Sequence, residues 1–217
     1  MHVRDALKTW AATEGLSFAD EVWDRLESLV ELWARYGAAF NLVGDTGRVA
    51  LLEHIREGLM AVCVAERAGF GQGAWLDVGS GAGIPGLVVG VARGSVLLVE
   101  PRERRAAFLE LAVGTLKIRS ATVIRARVGG KTWQKMPSAE QWEGPGVDIS
   151  VSSAKAVMPV DLWVKTAGLV APRALRVCHI RPGLVEQMVP RVLARVDFGT
   201  RSVVGVAPES PASKIRP

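Results

Sequence analysis

Apolar positions recur at helical spacing between residues 18 and 37, where Phe18, Val22, Leu26, Leu29, Val30, Trp33 and Tyr36 form one stripe and charged side chains occupy the other face. That period predicts an amphipathic helix. Gly44-Asp45-Thr46-Gly47 is a turn signal, and residues 49–67 resume the helical pattern through Leu52, Ile55, Leu59, Val62 and Ala65. The chain up to Gly69 is expected to be all-helical.

After Gly69 the texture changes to short apolar runs alternating with helical stretches, the signature of βαβ units and a mostly parallel sheet. Strands are expected near 74–78, 95–99, 121–125, 147–151 and 174–180, and helices near 84–92, 102–115 and 159–168. Residues 192–206 alternate and are expected to add antiparallel strands at the end of the sheet. Residues 129–146, rich in Gly and Pro, read as a long loop. The expected organisation is a helical cap over 1–69, an α/β unit over 70–207 and a disordered tail over 208–217.

Composition narrows the class. A chain of 217 residues, 49% hydrophobic and 23% charged, suits one sizeable core with at most a small appendage. Cys63 and Cys178 are too few and too far apart for a disulfide framework or a zinc site. They are expected in the core, with no metal bound. No apolar run approaches the roughly 20 residues needed to span a bilayer, and the start of the chain lacks the apolar stretch of a signal peptide. A cytoplasmic protein without a membrane partner is expected. The formal net charge of +5 favours a polyanionic partner such as nucleic acid.

The chemistry centres on Asp77-Val78-Gly79-Ser80-Gly81-Ala82-Gly83-Ile84-Pro85-Gly86, which follows the first expected strand and opens a helix. Glycines suit such a turn because the backbone must take positive φ and a ligand must approach it closely, while the helix start offers free N–H groups. Glu100 ends the next strand, twenty-one residues after Gly79. A carboxylate there can accept both hydroxyls of a ribose. Gly81, Gly83 and Gly86 also satisfy the spacing of a nicotinamide-dinucleotide site, so the glycines leave two adenosine-containing cofactors open. Asp77 tips the choice: a carboxylate at that point repels a pyrophosphate and suits the ammonium group of S-adenosylmethionine. A hydride-transfer enzyme would also need a substrate domain that this length hardly supplies.

The chain resembles the bacterial ribosomal small-subunit RNA guanine-N7 methyltransferases, the glucose-inhibited division protein B family. The pieces that carry the likeness are Trp33 through Phe40-Asn41-Leu42, His54-Ile55 with Glu57 and Leu59, then Leu76 through Leu87. It continues through Glu100, Arg104-Arg105 with Phe108-Leu109, Arg127-Val128, and Asp148 before Ser152-Ser153-Ala154. The resemblance implies a Rossmann-like class I S-adenosylmethionine-dependent methyltransferase fold, three-layered and preceded by helices. Its implied reaction is methyl transfer to guanine N7 in 16S ribosomal RNA. Asp77, Gly79, Gly81, Gly83, Ile84, Glu100, Val128, Gly129 and Ser153 fall at the implied cofactor positions, and Arg104, Arg105, Arg127 and Arg181 at implied RNA contacts. Three positions depart from the family pattern: Gly129 stands for an acidic residue, Ser153 for an Arg, and Arg181-Pro182 for Lys-Gly. Losing an Arg at Ser153 removes charge-assisted hydrogen bonding of about 1.5–3 kcal/mol. Two alternatives stay open: a methyltransferase for another nucleic acid or a small molecule, and an RNA-binding module that has lost turnover.

Guanine N7 carries an exposed lone pair, so its methylation needs no proton removal and no general base. None of His2, His54 and His179 lies in a nucleophile motif, and no catalytic residue is assigned. His54 reads as structural, Glu57 as either a solvated helix residue or a pocket wall, and Asp148 as either a cap of the next turn or a residue facing the substrate. Trp133 and Trp142 on the expected loop are the candidates for stacking on bases, whereas Trp33 lies on a core stripe.

Overall fold

The structure, a computed structural model, describes residues 3–126, 149–154, 171, 173–180 and 192–208. Three helices come first: α1 (Val3–Thr13), α2 (Asp20–Tyr36) and α3 (Arg48–Arg67). The α/β part follows as β1 (Ala74–Val78), α4 (Gly86–Arg93), β2 (Ser95–Val99), α5 (Glu103–Thr115), β3 (Ser120–Ile124), β4 (Ile149–Ala154), β5 (Leu175–Ile180), β6 (Val192–Phe198) and β7 (Arg201–Val206). The expected helix at 159–168, the loop at 129–146 and residues 209–217 of the tail lie outside the described residues.

The seven strands form one sheet in the order β3-β2-β1-β4-β5-β7-β6. β1 to β5 are mutually parallel, while β7 runs antiparallel to both β5 and β6. The order reverses between β1 and β4, so a crevice opens beyond the carboxyl ends of those strands. The expectation of a parallel sheet closed by antiparallel strands is met, and the first two strands fall where their apolar runs predict.

Side-chain alternation along each strand divides the core in two. Trp75, Val96, Leu98, Val151, Leu175 and Val177 join the larger cluster, with α1 to α5. Leu76, Val78, Leu97, Val99 and Cys178 belong to the smaller cluster on the other face. The α3 helix is buried along most of Leu51–Ala65, far more than a one-sided amphipathic helix, because it lies between the sheet and the other helices. Its close approach to α4 requires Gly58, where a Cβ would stand 2.6 Å from Val88 Cγ1. The helices thus share one core with the sheet. Both cysteines are buried free thiols, as expected of core residues. Among the described residues no helix is long and apolar enough to cross a membrane, and no three or more His, Cys, Asp or Glu side chains are grouped to hold a metal ion.

Candidate functional site

The glycine turn leaves the carboxyl end of β1 and passes beside the end of β2. Val99 supplies the anchor: its carbonyl accepts from the Gly79 N–H at 2.7 Å and from the Ser80 N–H at 3.0 Å. Gly79, Gly81 and Gly83 all take positive φ (73°, 56° and 83°), a region costly for residues with a Cβ. Their roles then divide. A Cβ on Gly79 would meet no atom within 4 Å, and one on Gly81 only Arg105 Nη1 and the Gly79 carbonyl, each at 3.7 Å. The backbone is open to a ligand there. On Gly83 a Cβ would run into Leu87, and on Gly86 it would stand 2.6 Å from Asp77 Oδ2. These two glycines serve close packing at the start of α4.

Glu100, expected at the end of the second strand, sits at that place and is only 3% exposed. Its Oε2 accepts from the Gly81 N–H and its Oε1 from the Arg102 N–H, both at 2.9 Å. Two backbone donors fix the carboxylate against the glycine turn, and each oxygen keeps a lone pair for a further donor.

Asp77 faces inward. Its side chain points with Trp75 towards α4, where Oδ1 accepts from Ser153 Oγ at 2.8 Å and Oδ2 from the Gly86 N–H at 3.2 Å. Ser153 Oγ in turn accepts from the Trp75 indole Nε1 at 2.7 Å, and Ser153 is fully buried. Burial pushes the Asp77 carboxyl above its ordinary value, outweighing the hydrogen bonds of Ser153 and Gly86 and the nearby His179. Asp77 and Ser153 therefore lie beneath the turn, not on its open side. Their positions alternate along β1 and β4 with residues of the opposite face, and motif spacing alone does not say which face is enclosed. Ile84 likewise turns into the larger core, at 6% exposure.

Of the expected RNA contacts, Arg104 is exposed on the first turn of α5. Arg105 also has a structural bond: its Nη2 donates to the Asn41 carbonyl at 2.7 Å, tying the α2–α3 connection down beside Gly81. Arg127, Val128, Gly129 and Arg181 lie outside the described residues, as do Asp148, Trp133 and Trp142. Trp33 is fully buried, as its stripe predicts, and its Nε1 donates to the Ala82 carbonyl at 2.8 Å. That bond pins the inner side of the turn to α2. The helical stripe marked Trp33 as core but held no signal for its partner, because the bond joins α2 to the glycine turn 49 residues away.

A second polar group joins α3 to β5 and β7, a grouping that spacing along the chain does not mark. Glu57 of α3, 5% exposed, has Oε2 on Arg201 Nη1 at 2.8 Å and Oε1 by His179 Nδ1 at 3.1 Å, with His54 Nδ1 3.7 Å away. Of its two readings, Glu57 is thus not the solvated helix residue. The His54 ring packs edge-on against Trp33 at 6.1 Å, in keeping with a structural role.

Comparison with known proteins places this geometry. A family model described as GidB, rRNA small subunit methyltransferase G, matches residues 23–141, more than half of the chain. A protein of Cereibacter sphaeroides called ribosomal RNA small subunit methyltransferase G is 31% identical over 170 residues, covering 75% of this chain and 74% of its own length. A Salinispora tropica protein of the same name is 45% identical over 112 residues, covering 49% of this chain and 42% of its own length. With several such relatives the chain spans about half of the relative's length, from 42% to 57%. Among solved structures the METTL16 MTase domain superposes with a TM-score of 0.52 at 14% identity, covering 85% of this chain and 81% of that one. This likeness concerns the fold alone, which is Rossmann-like. With the family model and the Cereibacter relative both matched, this chain belongs to the rRNA small subunit methyltransferase G family.

Proposed function

We propose that the protein is an S-adenosylmethionine-dependent methyltransferase acting on N7 of a guanine in 16S ribosomal RNA. The observation that carries this reading is Glu100, held by two backbone N–H groups beside an open stretch of backbone at Gly79 and Gly81. An adenosine-type ligand needs that pairing: a fixed carboxylate for ribose hydroxyls and a backbone that a ligand can approach. Asp77 argues against a dinucleotide. It takes up the Gly86 N–H at the start of α4, so that helix-start donor is not available to a pyrophosphate.

S-adenosylmethionine supplies an electrophilic methyl group on a sulfonium. In the proposed site Glu100 binds the ribose, and Gly79 and Gly81 allow the close approach. Asp77 and Ser153 hold the turn from beneath, with Gly83 and Ile84 packing it onto α4. Val128 and Gly129 are proposed near the adenine by their place in the family pattern. Because N7 offers a lone pair, the protein has to align and desolvate the reactants and needs no proton acceptor. Arg104, Arg105, Arg127 and Arg181 are proposed to meet RNA, with Arg105 also bracing the helices that cap the site over 1–69. Such a substrate places the work in the cytoplasm.

One observation favours a second reading, an RNA-binding module with impaired turnover: Ser153, where the family pattern has Arg, is enclosed and presents no cation. The two readings separate on incubating the protein with methyl-labelled cofactor and unmodified small-subunit RNA, then mapping the label. Label at guanine N7 is the expected result. Label at another atom, or none in the presence of saturable cofactor binding, rejects the leading function.

A further inference from the structure

The sheet reverses at β1 and β4, so the two halves of the crevice are distinct. The glycine turn and Glu100 occupy the β1–β2 half. The β4–β5 half is the part left for an acceptor, and His179 lies near the carboxyl end of β5. Register places it: Asp77 pairs with Ser153, and Ser153 with Val177. His179 is two residues further along β5, so it shares a face with Val177, one step closer to the carboxyl edge.

The His179 side chain is 7% exposed, and neither ring nitrogen makes a hydrogen bond among the described residues. Nδ1 nevertheless lies 3.1 Å from Glu57 Oε1. A carboxylate at that distance favours the proton on Nδ1, which leaves Nε2 as a bare lone pair on the opposite side of the ring. Arg201 at the start of β7 holds the second oxygen of Glu57, so the carboxylate is fixed in place. A buried ring nitrogen with no hydrogen-bond partner is costly, and a ligand donor would remove that cost.

We propose that His179 reads the acceptor base, its Nε2 accepting a hydrogen bond from the exocyclic amino group that distinguishes guanine from hypoxanthine and adenine, and that Glu57 is the positioning residue that holds the required tautomer. This rests on the guanine reading above and deepens it. A neutral acceptor is also the right group beside a base that becomes cationic on methylation, since a second cation there would oppose the reaction.

The test uses the full-length protein and two small-subunit RNAs that differ only in guanosine or inosine at the mapped position. Wild type is expected to lose about tenfold to a hundredfold in kcat/KM on inosine, the usual effect of one missing donor against a buried acceptor. His179→Ala is expected to be slow on both RNAs and to show no preference between them. His179→Gln, which keeps an acceptor, is expected to restore part of the preference, and Glu57→Gln to weaken it. Cofactor titration and thermal melting check that each variant folds. Equal rates of wild type on the two RNAs would overturn the proposal without any variant, as would an intact preference in His179→Ala. A wild type that methylates no guanine would overturn the underlying function, and this inference with it, before any variant is compared.

Discussion

Ser153 Oγ donates to Asp77 Oδ1 at 2.8 Å while accepting from Trp75 Nε1 at 2.7 Å, so one hydroxyl joins two side chains of β1 through the neighbouring strand β4. The carboxylate at its end also takes the first N–H of α4. The glycine turn thus rests on a closed polar chain within an apolar layer, where every donor has an acceptor. Removing a single link leaves a buried group unsatisfied.

Ser153→Ala should therefore cost about 1–3 kcal/mol, since both the indole N–H and the carboxylate lose a partner. For a chain of this length that corresponds to a fall in Tm of roughly 2–4 °C per kcal/mol. Restoring the family's residue with Ser153→Arg should destabilise too, because the position is fully buried and the longer side chain has no open side to occupy. Differential scanning calorimetry on both variants checks this. A Tm at or above wild type for either would mean that the Trp75–Ser153–Asp77 chain does not support the turn.

Asp77 predicts a pH dependence with a definite sign. Burial raises its carboxyl above the ordinary 3.8, so the folded state holds the proton more tightly than the unfolded chain. Its stabilising contribution is full below the unfolded value and is lost as pH rises through the raised folded value. In urea titrations from pH 4 to 8, Asp77→Asn removes that loss, so its stability relative to wild type should climb as the pH increases. A relative stability that falls with pH would show the carboxylate to be favoured in its charged form.

The four glycines of the turn should separate in their effects. Gly79→Ala meets no neighbour but pushes a methyl into the open approach at a positive φ, costing about 1–2 kcal/mol of backbone strain. It should weaken cofactor binding by at least about tenfold while the protein still folds, since 1.4 kcal/mol in an equilibrium is a factor of ten. Gly86→Ala drives a Cβ against Leu98 and Asp77 and should chiefly lower Tm. Circular dichroism melts beside cofactor titrations distinguish the two patterns, and identical behaviour of the two variants would refute the division of roles.

Arg104 and Arg105 are adjacent in sequence but differ in setting. Arg104 is exposed and free to meet phosphate, so Arg104→Ala should reduce the salt-dependence slope of RNA binding by about one. Arg105 holds the Asn41 carbonyl beside Gly81, so Arg105→Ala should reduce cofactor affinity as well, through release of the α2–α3 connection. Filter binding over a salt series and calorimetry provide the two readouts. An unchanged cofactor affinity in Arg105→Ala would remove the bracing role.

Much of this arrangement is legible in the chain itself. Periodicity located β1 and β2 as apolar runs, and the turn between β1 and α4 is marked by its glycines and Pro85. The start of β4 is less legible. Its apolar signal suggests 147–151, whereas the strand runs Ile149–Ala154, because Ser152 and Ser153 lie inside the sheet while reading as polar. The helix α1 carries no distinct marker beyond the general helical texture of the first residues. The inward orientation of Asp77 follows from which face α4 covers, and the Glu57–His179–Arg201 group joins positions up to 144 residues apart. Contacts at that separation depend on strand order, and local spacing has no access to it.

Calorimetric titration decides whether the turn at Asp77–Gly86, with Glu100 beside it, holds S-adenosylmethionine. Wild type should show saturable one-to-one binding, and Glu100→Ala should weaken it by at least about tenfold, the worth of a charge-assisted hydrogen bond to the ribose. Absence of saturable binding by the wild type at millimolar cofactor, or an unchanged affinity in Glu100→Ala, would show that the turn and Glu100 do not hold this cofactor.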